Sequence, residues 1–264
     1  MRLAGGTLAA SDVTVAFYGN VFRPPGRALA AGEGPPIEPE DLDDFEQELL
    51  MDWWKAAAAS DKYVPNPNAK YLGTPKLVQD ALVALSNSKF FAGVTTVMMR
   101  DNLRQVRDYL HDDKVRRDVR QRVTDAIDTD TKVLVGHSLG SVVAYEVLCA
   151  NPKLPVTTFV TLGSPLGIAN LIFDKLDPAP RAKPKRGFTL KRKGPHDPRG
   201  QWPASVTKWT NISDEQDVVA LEKDLRPMFG PKVANYLIDN GDEEHGIKGY
   251  LTAPETGAAI AAGL

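Results

Sequence analysis

Residues Gly136-His137-Ser138-Leu139-Gly140 carry the pattern G-x-S-x-G, and their flanks narrow the possible folds more than any other stretch of the chain. Lys132-Val133-Leu134-Val135 before it is a β-branched run, and Ser141 to Leu148 after it reads as a helix whose first turn is small. Strand, tight turn and helix are therefore predicted in that order. Such a turn holds a serine in a strained conformation at the tip of a sheet, while the two glycines remove side chains that would collide with strand and helix. A serine at this position also makes an ordinary helix N-cap. The pattern thus needs support from residues far away in the chain.

Composition excludes several classes. The 264 residues suit one α/β domain over 1–264, with 21–130 a helix-rich segment and 168–205 a basic, proline-rich, lid-like insertion. Lys and Arg number 32 against 34 Asp and Glu, and the net charge of −2 gives the whole molecule no bias toward nucleic acid. The single cysteine, Cys149, forms no internal disulfide and falls on the apolar side of the predicted helix, as a small hydrophobe would. No Cys/His cluster has zinc-ligand spacing. Asp12 interrupts the apolar run of the first eighteen residues, against a secretory core, and no stretch is long enough to span a bilayer. A cytoplasmic setting is expected.

Along the chain, Val13 to Tyr18 reads as a buried strand ending at Gly19, followed by a Pro/Gly-rich loop to Pro39. The acidic stretch 38–48 opens a helix containing Phe45, Leu49, Leu50, Trp53 and Trp54; the tryptophans suit a core or an acyl pocket. A second helix starts near Pro75. A long charged one follows, with Leu103, Val106, Leu110, Val115, Val119, Val123 and Ile127 at helical spacing. Val156–Leu162, Trp209–Ser213 and Lys232–Ile238 read as further strands, and a helix ends the chain. Residues 181–193 hold seven Lys or Arg and no acid, which suits either a solvated connection or an electropositive flap. Strands alternating with helices predict an α/β fold: a mostly parallel central sheet, helices on both faces, and helical or loop insertions forming a lid.

A serine hydroxyl needs a base to take its proton, and the base needs an acid to fix its tautomer. Of four histidines, His137 lies inside the turn and points away from the hydroxyl, His111 is in the charged helical region, and His196 is in the basic loop. His245, beyond the last strand, is the candidate base. Asp217 is the candidate acid, in the loop after a strand and anchored by Val218-Val219, with Asp214 the alternative. Serine, acid and histidine then fall in the order seen when each hangs from a different loop at the carboxyl end of a parallel sheet.

From Val133 onward the chain resembles the α/β-hydrolase superfamily, in particular bacterial serine hydrolases of the lipase/esterase kind, through VLVGHSLGSVVAYEVL, VTLGSPLG, WTNISDEQDVVA and the segment around His245. The resemblance implies Ser138 as nucleophile, His245 as base and Asp217 as acid, with the backbone N–H of Leu139 as one oxyanion donor. Family members usually take the second donor from a His-Gly loop upstream. Here Tyr18-Gly19-Asn20 stands in its place, with Gly19 or Asn20 the candidate donor. The expected activity is hydrolysis of a small-molecule carboxylic ester or thioester through an acyl-enzyme, with no metal or organic cofactor. The alternatives are an acyltransferase using the same nucleophile and a weak or inactive hydrolase-fold interaction protein.

Overall fold

The computed structural model describes residues 2–3, 6–22, 42–67, 75–86, 88, 96–182, 198–241 and 245–264. In chain order these form a short antiparallel pair, β1 (Arg2–Leu3) and β2 (Gly6–Thr7), then α1 (Asp44–Ser60), α2 (Pro75–Ser86), α3 (Thr96–His111) and α4 (Asp113–Asp125). The remainder is β3 (Val133–His137), α5 (Leu139–Ala150), β4 (Thr158–Leu162), β5 (Lys208–Asp214), α6 (Arg226–Phe229), β6 (Val233–Ile238), α7 (Ile247–Thr252) and α8 (Pro254–Ala261).

The fold is α/β: β3, β4, β5 and β6 lie side by side in that order, all parallel. His137 pairs with Leu162, Leu162 with Ile212, and Ile212 with Tyr236, and β5 and β6 run two residues further, to Asp214 and Ile238. Loops leaving that edge start from neighbouring points in space. β4 is buried on both faces, as the continuous apolar run of a central parallel strand requires. Phe159 and Trp209 enter the larger core, which α5 shares through Val142, Val143 and Val147. Val160, Leu162 and Ile212 point the other way and pack with Tyr250 and Ala259 of α7 and α8. Helices therefore cover both faces.

The helical segment is fastened by buried charge rather than by a sheet. Asp43 caps α1 reciprocally, its Oδ1 accepting from the Glu46 N–H at 2.9 Å while Glu46 Oε2 accepts from the Asp43 N–H at 2.8 Å. The other Glu46 oxygen lies 3.2 Å from the Arg107 guanidinium of α3. The long charged stretch is two helices, because the Asp112 side chain accepts from the Lys114 and Val115 N–H groups and starts a new one. Glu146 of α5, fully buried, gathers the Tyr109 hydroxyl (2.6 Å), the Arg116 guanidinium and the Asp177 N–H (3.0 Å). Removing one partner of such a cluster strands a buried charge and costs about 3–5 kcal/mol. The helix after Ser138 is thereby tied to α3 and α4.

One expectation changes. Val13 to Tyr18 is not a strand: Val13, Val15 and Phe17 are exposed, with Ala16 and Tyr18 half-buried against the core. The run is apolar enough, but among the described residues no strand pairs with it, and β3 is the first strand of the four-stranded sheet. From residue 183 to 193 the basic stretch lies outside the described residues, as do His196, residues 38–41 of the acidic stretch and most of the Pro/Gly-rich loop. Among the described residues, no helix is long and apolar enough to cross a membrane.

Candidate active site

Ser138 links β3 to α5 with φ 50° and ψ −130°. For a residue with a Cβ this conformation costs about 1–3 kcal/mol, so the surroundings must impose it. They do so from both sides. The Ser138 N–H donates to the Leu162 carbonyl at 3.0 Å, and its own carbonyl accepts from the Ser141 hydroxyl at 2.6 Å. With that proton committed, Ser141 Oγ accepts from the Ser164 hydroxyl at 2.7 Å. A Cβ on Gly136 would stand 2.6 Å from the Ser141 Cα, so only glycine lets the helix start this close to its strand. The Ser138 side chain makes no capping hydrogen bond to α5. The helix-cap explanation of this serine is thereby removed.

The hydroxyl is engaged instead by a residue 107 positions away: His245 Nε2 lies 3.0 Å from Ser138 Oγ. His245 Nδ1 lies 2.7 Å from Asp217 Oδ2. A carboxylate only accepts, so the imidazole carries its proton on Nδ1 and offers the Nε2 lone pair to the serine O–H. The Val219 and Ala220 N–H groups donate to Asp217 Oδ1 at 2.8 and 3.3 Å. Burial by itself would raise the Asp217 carboxyl, but the His245 charge and the hydrogen bonds from His245 and Tyr250, with Lys223 nearby, outweigh it and hold it at about 2. Asp217 therefore stays ionised at neutral pH beside Nδ1, an arrangement that can orient the imidazole and stabilise a positive charge on it.

Asp214 has a different task. Its Oδ1 accepts from the Gln216 N–H at 2.7 Å and its Oδ2 from the Asn240 N–H at 2.6 Å, fastening the loops that follow β5 and β6. His111 ends α3 edge-on to Phe45, away from the serine. Asn20 is exposed, and its Oδ1 accepts from Arg122 at 2.9 Å. Of Tyr18, Gly19 and Asn20, Tyr18 alone lines the cavity around Ser138. Cys149 is half-buried, and desolvation pushes its thiol up to about 12, far from a reactive thiolate.

Two residues that sequence reasoning left unassigned hold the arrangement in place. The Tyr250 hydroxyl donates to Asp217 Oδ2 at 2.7 Å and accepts from the Asp214 N–H at 2.8 Å. Nothing local in the sequence marks it, since its partners are more than thirty residues away. His137 donates from Nε2 to the His245 carbonyl at 3.0 Å, with the two rings 4.8 Å apart. Desolvation, then the neighbouring His245, lower His137 to about 4, so it is neutral at physiological pH. Gly163, at φ 51°, closes the site from below: a Cβ there would stand 2.8 Å from Asp217 Oδ2 and 3.2 Å from His245 Nδ1.

Around Ser138 lies a cavity of about 300 Å³. Leu139 and Gly140 form its floor, where the first N–H groups of α5 have no intrahelical partner. Trp53, Val106 and Ile172 give it apolar walls; Asn102 and Gln105 of α3 supply amides. Trp54, by contrast, is a core residue whose indole N–H donates to the Pro65 carbonyl. The geometry can transfer a proton from an alcohol to an imidazole and present N–H donors beside the attacked carbon. Among the described residues, no group of His, Cys, Asp and Glu side chains is arranged to hold a metal ion. Compared with known proteins, the chain matches no family model, no curated protein and no solved structure.

Proposed function

We propose that this protein is a serine hydrolase of the α/β-hydrolase kind, cleaving a small-molecule carboxylic ester or thioester through an acyl-enzyme. The observation that carries the proposal is the hydrogen-bonded series Ser138 Oγ, His245 and Asp217, at 3.0 and 2.7 Å, built on a serine whose backbone is strained. Ser138 Oγ attacks the acyl carbon while His245 Nε2 takes its proton. Asp217 stabilises the imidazolium, and the Leu139 N–H donates to the oxygen that gains charge. His245 then protonates the leaving alkoxide or thiolate. A water, deprotonated by the same imidazole, releases the acid and restores the serine.

A cavity of about 300 Å³ with mostly apolar walls favours a short or medium acyl group. The test is hydrolysis of p-nitrophenyl butyrate together with labelling by a fluorophosphonate. The wild type should turn over and label; Ser138→Ala should do neither, with kcat lower by about 10⁶ and an unchanged melting temperature. Undiminished turnover in Ser138→Ala removes the serine from the mechanism and the proposal with it.

A further inference from the structure

An oxyanion is held well when two donors converge on it, and the Leu139 N–H is one side of such a pair. The segment before α1 reaches the turn containing Ser138 through the Tyr18 hydroxyl, which lies 3.1 Å from the point where a Cβ on Gly140 would stand. Any side chain at residue 140 would crowd that hydroxyl. Tyr18 shares the cavity wall with Ser138, Leu139 and Gly140.

Its hydroxyl differs from those of the fully buried tyrosines. Tyr109 donates to Glu146, Tyr145 to the Gln201 carbonyl and Tyr250 to Asp217. Among the described residues the Tyr18 hydroxyl has no hydrogen-bond partner, although its ring packs edge-on to Phe22 at 6.3 Å and joins the main core. A phenol O–H on a cavity wall with no acceptor from the protein is free to donate to a group bound there. Desolvation pushes the phenol up to about 12, so it keeps its proton through the neutral range and acts as a donor. The backbone behind it is fixed: the Val21 N–H donates to the Tyr18 carbonyl at 2.9 Å, and Arg122 of α4 holds Asn20.

We infer that the Tyr18 hydroxyl is the second oxyanion donor, a catalytic residue opposite the Leu139 N–H; this rests on the serine-hydrolase reading and extends it. As the bond from Ser138 Oγ to the acyl carbon forms, the carbonyl π pair moves onto oxygen and the serine proton goes to His245 Nε2. The Tyr18 O–H donates a hydrogen bond to that oxygen and keeps its proton. On collapse the pair returns to re-form the carbonyl, the bond to the leaving group breaks, and His245 protonates the leaving atom.

The test uses the full chain with p-nitrophenyl butyrate and a phenylboronic acid, which forms a tetrahedral adduct on the serine. Tyr18→Phe should lower kcat by about 10²-fold or more, leave KM within about twofold, and weaken the boronic acid in proportion to kcat. A second measurement keeps the shape of the side chain: 2,3,5-trifluorotyrosine at position 18 ionises at lower pH and should move the alkaline loss of activity down with it. A purely structural tyrosine would leave that limb in place. Wild-type kcat in Tyr18→Phe, or an unmoved alkaline limb in the fluorinated protein, overturns the inference while Ser138→Ala still tests the hydrolase reading separately.

Discussion

The sheet half of the molecule, from β3 to α8, and the helical half, from Tyr18 to α4, meet at Ser138 but contribute in different ways. Ser138, Asp217 and His245 all hang from the carboxyl edge of the parallel sheet, and each is fixed by short hydrogen bonds to buried backbone or side chains. Trp53, Asn102, Gln105 and Val106 arrive on helices α1 and α3 and line the cavity. Parallel strands hydrogen-bonded in register hold the loops at their carboxyl ends in fixed relation, whereas helices packed by side chains adjust as those side chains change. Proton transfer is therefore expected to reside in the sheet half, and the selectivity, together with the Tyr18 donor, in the helical half.

Substitutions on the two sides should separate these roles. The largest effect beyond the nucleophile belongs to Asp217→Asn, which keeps the shape but permits the wrong imidazole tautomer. A loss of about 10⁴ in kcat with little change in KM is expected from steady-state ester hydrolysis. A loss of tenfold or less would mean that Asp217 does not orient the base.

Next comes stability on the sheet side. His137 is depressed to about 4 in the folded protein, against an ordinary value near 6.5. Below about pH 6.5 the unfolded chain therefore binds a proton that the folded one excludes, and stability falls as pH drops from about 6.5 to 4. The full effect is up to about 3 kcal/mol. His137→Gln should flatten that part of the stability curve in urea titrations at stepped pH, and an unchanged slope would show that His137 is not the group responsible. The smallest effect lies on the helical side. Val106→Ala enlarges the apolar wall and should shift the kcat/KM ratio of hexanoate to butyrate esters by roughly tenfold, with the ratio for Asp217→Asn unmoved.

Much of the sheet half is legible locally. β3, β4, β5 and β6 each coincide with a β-branched or apolar run, and the elbow pattern marks the turn between β3 and α5. The same reasoning fails at Val13 to Tyr18. That run is as apolar as Thr158 to Leu162, yet the latter is buried between two strands and the former exposes Val13, Val15 and Phe17. A strand is made by its neighbours, and a single segment does not show who they are. The split between α3 and α4 is legible in hindsight, because Asp112 followed by Asp113 is an N-terminal signature inside an otherwise continuous periodic stretch.

The sequence by itself determined the strand–turn–helix around Ser138, the alternation that makes an α/β sheet, and the chain order of serine, acid and histidine, since these depend on residue type and short spacing. Only the tertiary structure decided that Asp217 faces His245 while Asp214 braces two loops, that Tyr250 and His137 hold Asp217 and His245, and that Tyr18 rather than Asn20 reaches the cavity. Each of those outcomes depends on contacts between residues tens of positions apart. Their geometry is set by the packing of whole elements, which no local pattern encodes.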